Sequence, residues 1–159
     1  VKVPLGKFDE KGASGVNPSF QLGTGSWDYQ AVLNYRFQKN KLAVLLNTDY
    51  TIKTENKKHY QFGNQWNYSA TGFYEIFGSE KSILSAKFGF QGEVYDRNRQ
   101  YKEALPKTAG SALYGKLGFE ASYQKISLGT ELMLPAYTKL AGGDIAAKSR
   151  FSVFLNFGI

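Results

Sequence analysis

The stretch Ser26-Trp-Asp-Tyr-Gln-Ala-Val-Leu-Asn-Tyr-Arg-Phe37, the turn Gln38-Lys39-Asn40 and the run Lys41-Leu-Ala-Val-Leu-Leu-Asn-Thr-Asp-Tyr-Thr-Ile-Lys53 decide how this chain folds. In the first run Trp27, Tyr29, Ala31, Leu33, Tyr35 and Phe37 share one face, and Asp28, Gln30, Asn34 and Arg36 share the other, with Val32 the apolar exception. A period of two is a strand signature. In the second run Leu42, Val44, Leu46, Tyr50 and Ile52 alternate with Asn47, Asp49, Thr51 and Lys53, and the short turn makes the two arms an antiparallel hairpin. Each arm has about twelve residues, against ~5–6 in a typical soluble strand. Strands this long, apolar on one side and charged on the other, need surroundings that reward both faces.

Composition narrows the choice. The 159 residues suffice for one domain, 1–159, and the absence of cysteine removes disulfides, thiol nucleophiles and thiolate metal sites, a usage that fits the bacterial envelope. Mean hydropathy is −0.38, and no apolar run approaches the ~18–20 residues of a membrane helix. A helical membrane protein is excluded, but a transmembrane β-barrel is not, because its strands expose only alternate residues to lipid. The net charge of +7 is scattered or sits in loops rather than in a block with stacking aromatics, so no nucleic-acid partner is expected.

The same alternation continues to the end of the chain. Val1 to Phe8 reads as a short extended piece, followed by a Gly/Asn/Pro/Ser-rich loop at about 9–25. Further strands are expected from Tyr60 to Phe77, from about 82 to 97, from about 111 to 123, from 126 to 134, and over the last ten residues. Their polar positions include Gln65, Asn67, Ser69, Glu75, Ser85, Lys87, Gln91, Glu93, Tyr114, Lys116, Glu120, Ser127, Glu131, Met133 and Arg150. Eight strands emerge, and long connections near 9–25, 98–109 and 137–148 and a medium one at 54–59 alternate with short turns near 38–40, 78–80 and 124–125. Bacterial outer-membrane barrels have this asymmetry, with short periplasmic turns and longer extracellular loops, and the strand count then puts the carboxyl terminus in the periplasm.

A lipocalin-like or avidin-like soluble barrel would also have eight strands, with its apolar residues inside. Volume argues against that. An eight-stranded interior just holds its own side chains, and the apolar face here carries Trp27, Tyr29, Tyr35, Phe37, Trp66, Tyr68, Tyr74, Phe88, Phe90, Phe119 and more. Trp27, Tyr29, Tyr50, Tyr60 and Phe62 fall near the loop ends, and Tyr35, Phe37, Tyr74 and Tyr123 near the turn ends, as two aromatic girdles would. The expected fold is an all-β, antiparallel transmembrane barrel.

Val1-Lys-Val-Pro-Leu-Gly-Lys7, then a Gly/Asn-rich stretch, then Gln21-Leu-Gly-Thr-Gly-Ser-Trp-Asp-Tyr29, resembles the outer-membrane β-barrel channels of the phenol meta-pathway transporter-like family. In that family a strand ending in Pro-x-Gly precedes a Gly-Thr-Gly-Ser-x-Asp motif. The resemblance covers about the first 30 residues and implies a barrel of more than eight strands that passes small hydrophobic or aromatic compounds. Val1 to Phe8 is shorter than the ~9–11 residues of a spanning strand, so strands are expected to precede it and the chain to be the C-terminal part of a barrel of about twelve strands. A complete eight-stranded barrel stays open.

Polar-face charges are the candidate lumen-lining residues: Asp28, Arg36, Asp49, Glu75, Lys87, Glu93, Lys116, Glu120, Glu131 and Arg150. In a narrow barrel they would form an ion-pair network that fills the interior; in a wider one they would line water and set selectivity. Lys116 and Glu120 lie too far apart along one strand to pair, so their partners are expected across strands. Lys57, Lys58, Arg97, Arg99, Lys102 and Lys107 cluster in the expected outer loops, where lipopolysaccharide phosphates would be partners. A lone His59 gives no metal site, and with Asp49 or Glu55 and Ser69 or Ser111 only a thin case for hydrolysis, so neither an enzyme nor a cofactor is expected. Two functions remain: a passive outer-membrane channel for small molecules, or a structural or interaction subunit of an envelope complex with a plugged lumen. Strand number separates them, since eight strands leave no aqueous path and about twelve can.

Overall fold

The computed structural model describes residues 1–6, 8 and 23–158. Its strands are β1 (Asp28–Lys39), β2 (Leu42–Lys53), β3 (Tyr60–Gln61), β4 (Gln65–Gly78), β5 (Ser82–Tyr95), β6 (Arg99–Gln100), β7 (Glu103–Ala104), β8 (Gly110–Tyr123), β9 (Ile126–Lys139) and β10 (Arg150–Phe157). Seven of them form one antiparallel sheet in the order β1-β2-β4-β5-β8-β9-β10, and the short β3, β6 and β7 form a second. The large sheet is an up-and-down meander curled into a half-barrel. Its first hairpin pairs Asp28 with Lys53 at the loop end and Lys39 with Leu42 at the turn, so the two alternating patterns fall in phase.

Burial follows the alternation with inverted polarity. Leu33 is 67% exposed, Leu117 58% and Phe151 69%, whereas Asp28, Thr51, Thr71, Lys87, Glu93 and Lys116 are buried. A water-soluble sheet hides its apolar side. Here the outer face is apolar, flanked by Trp27, Tyr29, Tyr50 and Trp66 at the loop end and by Tyr35, Phe37, Tyr74 and Tyr123 at the turn end. The Trp66 indole N–H donates to Thr48 Oγ1 at 2.8 Å, which leaves the ring body outward and its polar edge satisfied.

A small apolar cluster sits on the inner face. Ala112, Tyr114 and Met133 are buried there, and Leu140 and Ala147 pack against them. The loop after β9 therefore folds inward over the sheet. A 3-10 turn at Ala141–Gly143, the bridge between Leu140 and Ile145, and an ion pair of Lys107 with Asp144 at 2.8 Å hold it.

Three expectations change. Among the described residues the large sheet has seven long strands rather than eight, because Val1 to Phe8 contributes only a bridge between Lys2 and Asp28. Pro4 has no N–H to give a ladder, and the Leu5 N–H turns back to Val3 O at 3.0 Å. The strand expected from Tyr60 begins at Gln65, since Tyr60–Gln61 pairs with Arg99–Gln100 instead. Gly63 marks the break: a Cβ there would collide with the Asp96 carbonyl, so the two loops touch backbone to backbone. Tyr60 and Phe62 consequently join a loop cluster, with ring centroids 4.9 Å apart, and not the girdle. Finally, β9 runs on to Lys139 past the expected loop start, with a register shift between Leu113 and Tyr114 on its neighbour. Most of the expected 9–25 loop, Gln21 and Leu22 of the quoted motif, and Ile159 lie outside the described residues.

Candidate functional site

Register places the inner-face charges in layers. At the loop end Asp28 stands opposite Lys53, and its carboxylate is 3.0 Å from Lys53 Nζ and 3.3 Å from Lys2 Nζ, with the Ser26 hydroxyl donating at 3.2 Å. Asp49 accepts from Gln30 Nε2 at 2.8 Å and from Asn67 Nδ2 at 3.0 Å. Glu93 binds the Arg150 guanidinium in a fork at 2.5 and 3.2 Å and accepts from the Tyr95 hydroxyl at 3.0 Å and from Gln91 Nε2 at 3.3 Å. A bidentate, charge-assisted pair of this kind fixes orientation as well as charge. Arg150 also donates to the Tyr114 hydroxyl at 2.7 Å, its guanidinium carbon 4.4 Å from that ring's centre.

The middle layer carries unequal charge. In the row Phe73, Lys87, Gly118, Glu131, Ser152, the lysine and the glutamate stand two strands apart with only Gly118 between them. Because Gly118 has no side chain, Lys87 Nζ reaches Glu131 Oε2 at 3.4 Å across it. Lys116 comes to the same oxygen at 3.8 Å from the neighbouring row. Two ammonium groups thus share one carboxylate, leaving a net positive charge. Lys87 Nζ also lies 4.3 Å from the Phe154 ring centre and 5.5 Å from that of Phe73, close enough for cation–π attraction.

At the turn end Arg36 Nη2 donates to Gln38 Oε1 at 3.0 Å. Glu75 and Glu120 lie on the same face and have no ion-pair partner among the described residues. Arg36, Glu75 and Glu120 border a cavity of about 300 Å³.

Every charge singled out in the sequence for the polar side, from Asp28 to Arg150, therefore lies on one face. What sequence reading missed are the aromatic and apolar residues among them. Tyr114 and Met133 fall on the polar parity and carry the small cluster, while Phe73, Tyr95 and Phe154 occupy positions for which the alternation gave no role. Their signal was available: an aromatic residue at a polar position of a long strand.

The basic loop residues lie together at the other sheet. Lys57, Lys58, Arg97, Arg99 and Lys102 are all exposed, and none forms an ion pair with a described residue. Lys107, expected among them, pairs with Asp144. Arg97 lies past the end of β5, outside the long strand. Two buried asparagines shape the loops beneath. Asn56 Oδ1 accepts from the backbone N–H groups of Lys58 and Tyr60, and Asn98 Nδ2 donates to the Tyr60 hydroxyl at 2.8 Å while its Oδ1 accepts from Gly63 N–H. Burial pushes the Tyr60 hydroxyl above its ordinary range, partly offset by the Asn98 bond. His59 meets Glu55 at 2.7 Å and stacks on Tyr101, ring centres 5.3 Å apart.

The sequence profile of the family described as "Putative MetA-pathway of phenol degradation" matches residues 1–125. No curated protein and no solved structure gives a match.

Proposed function

The chain belongs to this phenol-degradation family, and from that premise we propose that it forms the wall of a bacterial outer-membrane channel for small hydrophobic or aromatic molecules, with its carboxyl end periplasmic. The observation that carries the reading is the inverted polarity of the sheet: strands of 12 to 14 residues with an apolar, aromatic-flanked outer face and charges gathered inside. Such a surface suits lipid outside and water inside. Apart from the Lys2 bridge, β1 and β10 present open edges among the described residues. Each unsatisfied backbone group in lipid costs several kcal/mol, so the sheet closes on further strands, and closure at about twelve strands widens the interior beyond what side chains fill. Asp28, Arg36, Asp49, Glu75, Lys87, Glu93, Lys116, Glu120, Glu131 and Arg150 then line the lumen.

One observation favours the second reading, a structural or interaction subunit with a plugged lumen: the loop after β9 packs on Tyr114 and Met133 and closes part of the inner face. Single-channel recording of the full-length protein in planar bilayers, beside liposome uptake of phenol, separates the two. Conductance with uptake supports the channel; silence in both transfers the case to the plugged subunit.

The middle layer sets a selectivity test. Changing Lys87 to Glu replaces one of two ammonium groups by a second carboxylate beside Glu131, so the reversal potential should move toward cation preference. An unchanged reversal potential would take Lys87 out of the conduction path.

The loop cluster suits phosphates of the outer leaflet. Neutralising Arg97, Arg99 and Lys102 together should weaken binding of the refolded protein to purified lipopolysaccharide, with the difference shrinking as salt rises. Binding that is unchanged at low salt would remove this contact.

A further inference from the structure

Between β9 and β10 the segment Leu140-Ala-Gly-Gly-Asp-Ile-Ala-Ala-Lys-Ser149 lies over the inner wall and touches it through Leu140 and Ala147. Leu140 is fixed, because it crosses Gly110 so closely that a Cβ there would come 2.7 Å from the Leu140 Cα. Ala147 rests on the seat formed by Ala112, Tyr114 and Met133. Between these two contacts the residues from Gly142 to Ala146 are exposed, Ile145 at 56%. Lifting Ala147 would therefore uncover the seat without unpairing a strand. At the far end of the segment the Arg150 side chain is held by Glu93 and Tyr114.

The fastening between these ends is light. Ala141, Gly142 and Gly143 have positive φ of 51°, 74° and 107°, a reversal that glycine adopts at no steric cost. The N–H groups of Gly143 and Ile145 turn back to Leu140 O at 2.8 and 3.3 Å, so they stiffen the turn rather than its hold on the wall. Across to the neighbouring loop, the Gly142 N–H meets Ala109 O at 3.4 Å, which is long for such a bond. Lys107 Nζ meets Asp144 at 2.8 Å, but the two side chains are 70% and 59% exposed. An ion pair this open to solvent contributes little and is screened by salt. A segment with few buried contacts opens far more readily than the strands that flank it.

We propose that residues 141–149 form a strap that opens and closes over the inner wall. It pivots at Ala141–Gly143, lifts Ala147 from Tyr114 and Met133, and is biased toward closure by the Lys107–Asp144 pair. Closed, it narrows the interior at the loop end; open, it bares an apolar seat beside the Glu93–Arg150 pair. The part the strap plays in transport rests on the channel reading, whereas its movement does not.

The test uses the full-length protein refolded in phosphatidylcholine vesicles, with one cysteine introduced at Met133, beneath the strap, or at Ser152, exposed on the same face. Labelling by an uncharged, water-soluble maleimide is followed at low and high salt, and each rate is divided by that of the same variant unfolded in urea. Met133→Cys should react about tenfold more slowly than Ser152→Cys, as a thiol reached only through local opening does. High salt or Asp144→Ala should raise the Met133→Cys rate by about two- to fivefold, the share of a solvent-exposed ion pair, and leave Ser152→Cys unchanged. Ala147→Asn, which sets an amide against the apolar seat, should raise it too. Ala112→Cys, a small change on the same seat, takes the place of Met133→Cys if that variant does not refold. Equal rates at Met133 and Ser152 would overturn the strap, because the seat would be uncovered. A slow rate that neither salt nor either variant changes would also overturn it, because the loop would then be a fixed plug. Single-channel recording on the same preparations reads the channel separately: the open fraction should rise in Asp144→Ala and Ala147→Asn, and conductance that ignores both would overturn the strap's part in transport. Labelling that responds in a protein silent in bilayers would keep the strap and remove the channel.

Discussion

Tyr114→Ala should lower the stability of the folded sheet by about 3–5 kcal/mol, the range for truncating a large, fully buried aromatic side chain. Tyr114 is 0% exposed, packed against Ala112 and Met133 from the sheet and Leu140 and Ala147 from the inward-folded loop. Its loss would leave a cavity under that loop and strip Arg150 of both the ring beneath its guanidinium and the hydroxyl it donates to at 2.7 Å. Tyr114→Phe keeps the ring and loses only the hydrogen bond, so it should cost about 1–2 kcal/mol. Urea unfolding of both variants, refolded into lipid vesicles, measures the two costs. Small, equal losses would mean that the loop does not pack on Tyr114 in the membrane.

The second large effect concerns the outer face. Leu33 lies midway along β1 and Leu46 across from Tyr35 on β2, both exposed on the apolar side. Arginine at either should cost ~2–4 kcal/mol, as charges do when they face lipid near the bilayer centre. Asn34 and Asn47 are cross-strand partners on the opposite side, where Asn47 Nδ2 already donates to Ser69 Oγ at 3.2 Å. Arginine there would meet polar groups and water, and the penalty should be much smaller. The same unfolding measurement in vesicles ranks the four variants, and equal or reversed costs would be incompatible with a lipid-facing side.

Much of this was legible in the alternation of residues such as Leu33 with Asn34 and Leu46 with Asn47. A period of two fixes both the strand and its faces, because a slip of one residue would turn every side chain over. The turn at Gln124-Lys125 and the hairpin around Asn40 were readable for the same local reason, and Asn40 and Gln124 do adopt positive φ of 53° and 51°. What local pattern could not reveal depends on contacts between distant segments. The alternation of Tyr60 and Phe62 continues that of Trp66 and Tyr68, yet Gly63 lets the two loops touch and diverts Tyr60 to Gln100. Lys87 and Glu131 are separated by 44 positions in the chain, and only the register that sets Gly118 between them brings them together. Phe73 and Phe154 reach Lys87 from strands on either side of β5, which no single-strand pattern encodes. The cavity at the turn end has the same origin, since its lining comes from β1, β2, β4, β5 and β8 together.

These 159 residues contain no cysteine, so single cysteines introduced along β2 are spin-labelled without background from this part of the chain. Labels at Ala43, Val44, Leu45, Leu46, Asn47, Thr48 and Asp49, in full-length protein refolded into lipid vesicles, report collisions with oxygen dissolved in lipid and with a water-soluble nickel complex. If the sheet spans the membrane with its polarity inverted, oxygen collisions peak at 44, 46 and 48 and nickel collisions at 43, 45, 47 and 49, a strict alternation along the strand. Nickel access peaking at 44, 46 and 48, or no alternation at all, would contradict a membrane-spanning wall.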